Sequence, residues 1–167
     1  MKQYFSLILF CLLFTSLKSQ DLDSVEYIKK YNERILLSRI DDVYIPKDTK
    51  EAMEELKRLT DVEGRKKLIT APEDTIASKL HYSLGRWISL NWGFDQGSRL
   101  SHYYKLKGVV EIDDKIDLLI RAFYRDLKGL PIQEDKLIKG YIAKRKLEHQ
   151  ERMKKFKSLH QEKRVKK

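Results

Sequence analysis

Between residues 49 and 59 the chain reads TKEAMEELKRL, and Ala52, Met53, Leu56 and Leu59 return every three or four positions. That spacing puts the four on one face of a helix. Upstream, Val25, Ile28, Tyr31, Ile35 and Ile40 recur with a similar period, which predicts a helix from Leu22 to Ile40. The stretch VYIP then reads as an extended link, because the residue before Pro46 is pushed out of helical geometry. Asp48, followed three residues on by Glu51, is a helix-capping pattern. Residues 61–70, DVEGRKKLIT, read as a polar connection with room for one turn of its own. Thr70 as cap, Pro72 in the first turn and Glu73 then open a helix carrying Ile76, Leu80, Leu84, Trp87 and Ile88. Gly93 is placed to end it in a left-handed cap.

Further on, Ser98 caps a short helix with Leu100, Tyr103 and Tyr104, and Gly108 stops it. VVEI, residues 109–112, has the composition of a brief strand. Asp113 opens the clearest helix: Ile116, Leu119, Ile120, Phe123 and Leu127 form its stripe, and Gly129 with Pro131 closes it. A last helix starts near Glu134 and reaches about Val165. Internal repeats, Gly/Ser linkers and sustained strand alternation are missing from the chain. The expected fold is all-α, a small helical bundle with a long basic C-terminal helix extending from it.

The first twenty residues, MKQYFSLILFCLLFTSLKSQ, change the picture from fold to compartment. Lys2, an apolar run from Tyr4 to Phe14 and a small polar segment have the layout of a secretory signal peptide, too short to span a bilayer as an anchor. The expected organisation is a signal peptide at 1–20, a helical domain at 21–142 and a basic helical tail at 143–167. The protein is expected to be exported, to the periplasm or beyond. Cys11, the chain's one cysteine, lies within the signal. After cleavage, disulfides, thiolate chemistry and cysteine-ligated zinc are excluded. Charge is equally segregated. The chain carries +10, of which residues 143–167 hold +8 and the signal +2, so residues 21–142 are neutral. Polyanion contact is therefore expected from the tail, with Lys144, Arg145, Lys146, Arg152, Lys154, Lys155 and Lys157 as its candidates.

Both tryptophans fall in LGRWISLNWGFDQGSRLSHYYKLKG, residues 84–108. Gly85 in mid-helix costs about 1 kcal/mol relative to alanine, so it is expected to let a neighbour approach closely. Trp87 falls on the core side with Leu84 and Ile88, while Trp92, Phe94 and the turn Asp95-Gln96-Gly97 lead to the next helix. One reading is a core hairpin whose glycines serve as caps. The other is a cleft floored by Trp87 and Trp92 and edged by Arg86, Asn91, Arg99 and His102, suited to a peptide, glycan or anionic ligand.

Three segments in order, IPKDTKEAMEEL, HYSLGRWISLNWGFDQGSRLSHYYKLKG and EIDDKIDLLIRAFYRDLKGLPI, resemble the bacterial domain of unknown function 6794 family over roughly residues 45–132. Leu84, Gly85, Trp87, Asn91, Trp92, Gly93, Ser98, Leu100, Asp113, Asp114 and Arg125 fit its motif positions. Ser89 stands where the family tends to have a second basic residue, and Glu111-Ile112 where it often has His-Pro. The resemblance implies a domain and brings no activity with it.

Asp113 and Asp114 with Asp117 offer a metal or acid/base cluster, but neighbours on a helix point about 100° apart, so the simpler reading has Asp113 as the cap and Asp114 favouring the positive helix end. Asp114 is a candidate partner for Arg86 or Arg99 across the bundle. His81, His102, His149 and His160 show no metal-ligand spacing, and Ser98, Ser101 and His102 do not compose a nucleophile with its base. No cofactor or metal is expected. Ile142, Lys146, His149, Met153, Phe156 and His160 share one face of the tail helix. The functional expectation is an exported, non-enzymatic binding protein of the bacterial envelope. A protein or glycan would be its partner and an anionic envelope surface a second contact, with nucleic acid disfavoured. A small hydrolase-like enzyme using the polar groups between Arg86 and Asp114, or an immunity or inhibitor protein, are the alternatives.

Overall fold

The computed structural model describes residues 24–165, with side chains through residue 158. The signal peptide expected at 1–20 lies outside the described residues. Helix α1 spans 24–34, shorter than the helix expected to reach Ile40. A hairpin replaces its last turns: β1 (Arg39–Ile40) pairs antiparallel with β2 (Val43–Tyr44). Asp41 and Asp42 make the turn with φ of 47° and 62°. Aspartate tolerates this left-handed region better than most residues, and a two-residue turn of this kind matches strand twist. The hairpin buries Ile40 and delivers Ile45, fully enclosed, to the core.

Helix α2 (Thr49–Leu59) starts as expected, with Asp48 accepting from the Glu51 N–H at 2.9 Å. Ala52, Met53 and Leu56 are buried, whereas Leu59, assigned to the same stripe, is exposed. The stretch 61–70 is a helix, α3 (Val62–Thr70), and not a connection; Asp61 caps it through the Gly64 N–H. Its sparse apolar content hid it, for only Leu68 is buried. Thr70 consequently ends α3 instead of capping the next helix, its hydroxyl donating to the Lys67 carbonyl at 2.7 Å. Helix α4 (Glu73–Leu80) begins after Pro72 with no side-chain cap.

The single helix expected onward to Gly93 is broken. A π-helical turn, His81–Gly85, separates α4 from α5 (Arg86–Asn91). A π turn inserts a residue and rotates the faces that follow, which moves the two tryptophans relative to the α-helical phase. Gly85 does serve close approach, since a β-carbon there would stand 2.7 Å from Ile116 Cγ2. Ser98 caps α6 (Arg99–Leu106), and Gly108 follows it with φ of 89°. Residues 109–111 form a loop and not a strand. Helix α7 (Ile112–Leu127) starts one residue before Asp113, with Glu111 at its cap position.

Helix α7 is the axis of the molecule. It packs against α2, α3, α4, α5, α6, the π turn and α8 (Glu134–Val165). Ile116, Leu118, Leu119, Ile120, Ala122 and Phe123 are all buried. Burying a side chain of this size contributes about 1.5–3 kcal/mol, so one helix anchors most of the core. Apart from the hairpin, the fold is all-α as expected.

Candidate functional site

The glycine-punctuated turn is built by local chemistry. Gly93 and Gly97 take φ of 62° and 89°, a region where a β-carbon is strained. Gly97 also lies directly under the Tyr31 ring, and Arg34 Nε donates to its carbonyl at 3.2 Å. Helix α1 is thus clamped on the turn. Trp92 ends fully buried, and Trp87 sits half-buried beside it, edge to face with centroids 5.9 Å apart. This reverses the expected depths: Trp92, assigned to the connection, is core, and Trp87, assigned to the core, lies at its margin. The Trp92 indole N–H has no acceptor among the described residues.

The remaining candidates diverge. Arg86 is exposed on α5. Asn91 turns back, its Nδ2 donating to the Trp87 carbonyl at 2.9 Å. Arg99 reaches the hairpin, where Nε donates to the Ile45 carbonyl at 2.5 Å and the guanidinium lies 5.0 Å from the Tyr44 ring centre. His102 points to α1, with Nδ1 2.9 Å from the Tyr31 hydroxyl. Asp114 pairs with neither Arg86 nor Arg99. Its partner is Arg145 of α8, which raises the basicity of that guanidinium above its ordinary value. Arg145, expected in a free tail, is therefore engaged with the body. Ile142 also leans on the body, against Gly108.

A cleft does open beside the motif, though with a different lining. It measures about 320 Å³ and lies between the hairpin turn, the end of α1 and the Gly93 turn. Arg34, Asp41, Ser89, Asn91, Asp95 and Gln96 supply its polar groups. Of these only Asn91 was marked by sequence. The others come from three separate segments, which no local pattern joins.

Sequence reading also passed over Lys115, which is buried with Nζ 3.0 Å from Ser101 Oγ. Burial lowers the Lys115 pKa from its ordinary value. Neither residue lines a described cleft, so the pair is read as a core hydrogen bond. Its only signal was a lysine beside Ile116 on the inner face of α7.

Residues 45–127 match the family model of the Domain of unknown function (DUF6794). Over that stretch the chain is similar to DUF6794. The match begins at the enclosed Ile45 and ends with α7, so it takes in the central helix and everything packed directly before it. Both α1 and α8 lie outside the matched region. No curated protein and no solved structure matches. Among the described residues no group of His, Cys, Asp and Glu could hold a metal ion, and no helix is long and apolar enough to cross a membrane.

Proposed function

We propose that this protein is an exported, non-enzymatic binding protein of the bacterial envelope. Its body recognises a protein or glycan partner, and α8 adds contact with an anionic surface. The observation that carries this reading is the reach of α8. The helix is 32 residues long, about 48 Å, and every described side chain from Glu151 to Ser158 is exposed. Helical stability in proteins comes mainly from packing of one face, so the exposed stretch gains stability from what it docks against. Arg152, Lys154, Lys155 and Lys157 stand there with the exposed Met153 and Phe156. Basic residues contribute about 1 kcal/mol each near an anionic surface, and the apolar pair suits its interfacial layer.

The body's part rests on the cleft beside Asn91. Arg34, Asp41, Asp95 and Gln96 offer both donors and acceptors, the set that hydroxyls or peptide groups require. The hydrolase-like alternative draws no support from geometry, because Asn91, Arg99, His102 and Asp114 point to different neighbours and Arg86 is exposed.

Co-sedimentation with vesicles of phosphatidylcholine and phosphatidylglycerol tests the reading. The full chain is expected to bind and to release steeply as salt rises. Replacing Arg152, Lys154, Lys155 and Lys157 by glutamine is expected to abolish binding with the melting temperature unchanged. Binding that survives the fourfold replacement refutes the role of α8.

A further inference from the structure

A second cleft, about 440 Å³, lies between α4, α7 and α8. Arg121 and Arg125 of α7 and Lys136 and Lys144 of α8 face it, together with Glu73 and Asp117. Its guanidinium groups are held in place by the fold. Arg121 donates to the Tyr141 hydroxyl at 3.2 Å and to the Glu73 carbonyl at 3.1 Å. Arg125 donates through Nε to the Pro131 carbonyl at 2.8 Å and through Nη1 to Glu73 Oε1 at 2.6 Å. Arg125 Nη2 and the ammonium groups of Lys136 and Lys144 have no partner among the described residues. Asp117 lies 3.5 Å from His81 Nδ1. Four cations against two carboxylates leave an excess of two positive charges.

Gly140 sharpens the picture. It sits inside α8 and lines the cleft, and a β-carbon built on it would meet nothing within 4 Å. Glycine inside a helix costs about 1 kcal/mol relative to alanine. At Gly85 that cost secures packing against Ile116, but at Gly140 the chain's own packing makes no use of the missing methyl. The space stays open to the cleft. Tyr141 contributes a hydroxyl that remains protonated, since burial pushes its pKa up to about 12. With its oxygen accepting from Arg121, its proton is available to a ligand.

We propose that this cleft binds a phosphate monoester, held by Arg125, Lys136 and Lys144, with Gly140 leaving room for the organic part beside Leu137. A monoester carries about −1.5 to −2 charges at neutral pH, which matches the local excess, whereas one carboxylate leaves a cation unmet. Arginine forks and lysine ammonium groups are the usual recognition elements for such oxygens. The phosphate is borne either by a soluble molecule or by a lipid headgroup.

Titration calorimetry of the full chain with phenyl phosphate, and with benzoate as the matched carboxylate, tests this alongside vesicles containing phosphatidic acid. Saturable phenyl phosphate binding is expected, at least tenfold tighter than benzoate. Lys136→Gln with Lys144→Gln should weaken it by about tenfold or more, two charge-assisted bonds being removed. Gly140→Leu should block it while the melting temperature holds, because the added β-carbon meets no neighbour and leucine is a better helix former than glycine. Gly140→Leu-sensitive binding to phosphatidic acid alone assigns the phosphate to a lipid headgroup, and binding of phenyl phosphate assigns it to a soluble molecule. The proposal is overturned if neither phosphate source binds or benzoate binds as tightly. Binding indifferent to both Gly140→Leu and the lysine pair also overturns it, and places the contact on the basic tail.

Discussion

Arg145 grips Asp114 with two hydrogen bonds, Nε to Oδ2 at 2.6 Å and Nη2 to Oδ1 at 2.8 Å. Asp114 is only 3% exposed, so its charge depends on that one partner thirty-one residues away. Forked pairing of this kind is short and directional, and it fastens the base of α8 to the central helix. The boundary between body and tail therefore falls after Arg145.

Arg145→Ala should accordingly destabilise the protein by about 2 kcal/mol. That figure is below the range for fully buried pairs because the arginine is partly solvated. Truncation after Ala143 should lower the melting temperature at least as much, whereas truncation after Gln150 should leave it nearly unchanged. Thermal unfolding of the three chains followed by circular dichroism reads this directly. Equal melting for the two truncations would detach α8 from the core.

Trp92→Ala is expected to cost about 3–5 kcal/mol, the usual penalty for emptying an enclosed aromatic site. Trp87→Ala, at the edge of the same pair, should cost about 1–2 kcal/mol. Urea denaturation of both variants decides the order. A larger loss at Trp87 would reverse the depths assigned to the two rings.

Acid should expose the capping network of α2. The Lys47 ammonium and the Tyr44 hydroxyl hold Glu51 down to about 2, from an ordinary 4.5. A carboxylate depressed in the folded state contributes stability that is complete above pH 4.5 and lost as pH falls towards 2. Glu51→Gln should remove about 1 kcal/mol at pH 7, allowing for solvent screening of a partly exposed group. It should also flatten stability between pH 4.5 and 2 relative to the parent. Chemical denaturation across that window supplies the comparison, and an unchanged slope would refute the assignment.

Export makes a covalent prediction. On the proposed export, removal of the leader is expected to leave a chain that starts at Gln20 or Asp21. Intact-mass measurement of protein recovered from an envelope fraction should show the loss of the leader. Retention of Met1 in a cytoplasmic fraction would contradict the proposal.

Local rules sufficed where one residue controls one backbone step. Asp48, Ser98, Gly93 and Gly108 were legible as caps because the group that makes each bond lies within four residues of its partner. The amphipathic stripe of α7 was equally plain, since Ile116, Leu119, Ile120 and Phe123 follow its period and are all buried. Helix α3 escaped notice for the opposite reason: with little apolar content, its helicity rests on the Asp61 cap and on packing against α7.

What the sequence determined by itself is the all-α class, the order of most helices, the separation of charge into a neutral body and a basic end, and the likeness to DUF6794 over residues 45–127. These follow from period, capping and composition, which are properties of neighbouring residues. Tertiary structure alone decided which tryptophan is enclosed, because the π turn at His81–Gly85 re-phases α5 against α7. It also decided that Asp114 takes Arg145 and not Arg86 or Arg99, and that Arg34, Asp41 and Asn91 share a cleft. Each of those outcomes depends on the rotation of one packed helix against another. No spacing along the chain encodes that angle, because it is set by the volumes of the side chains that meet.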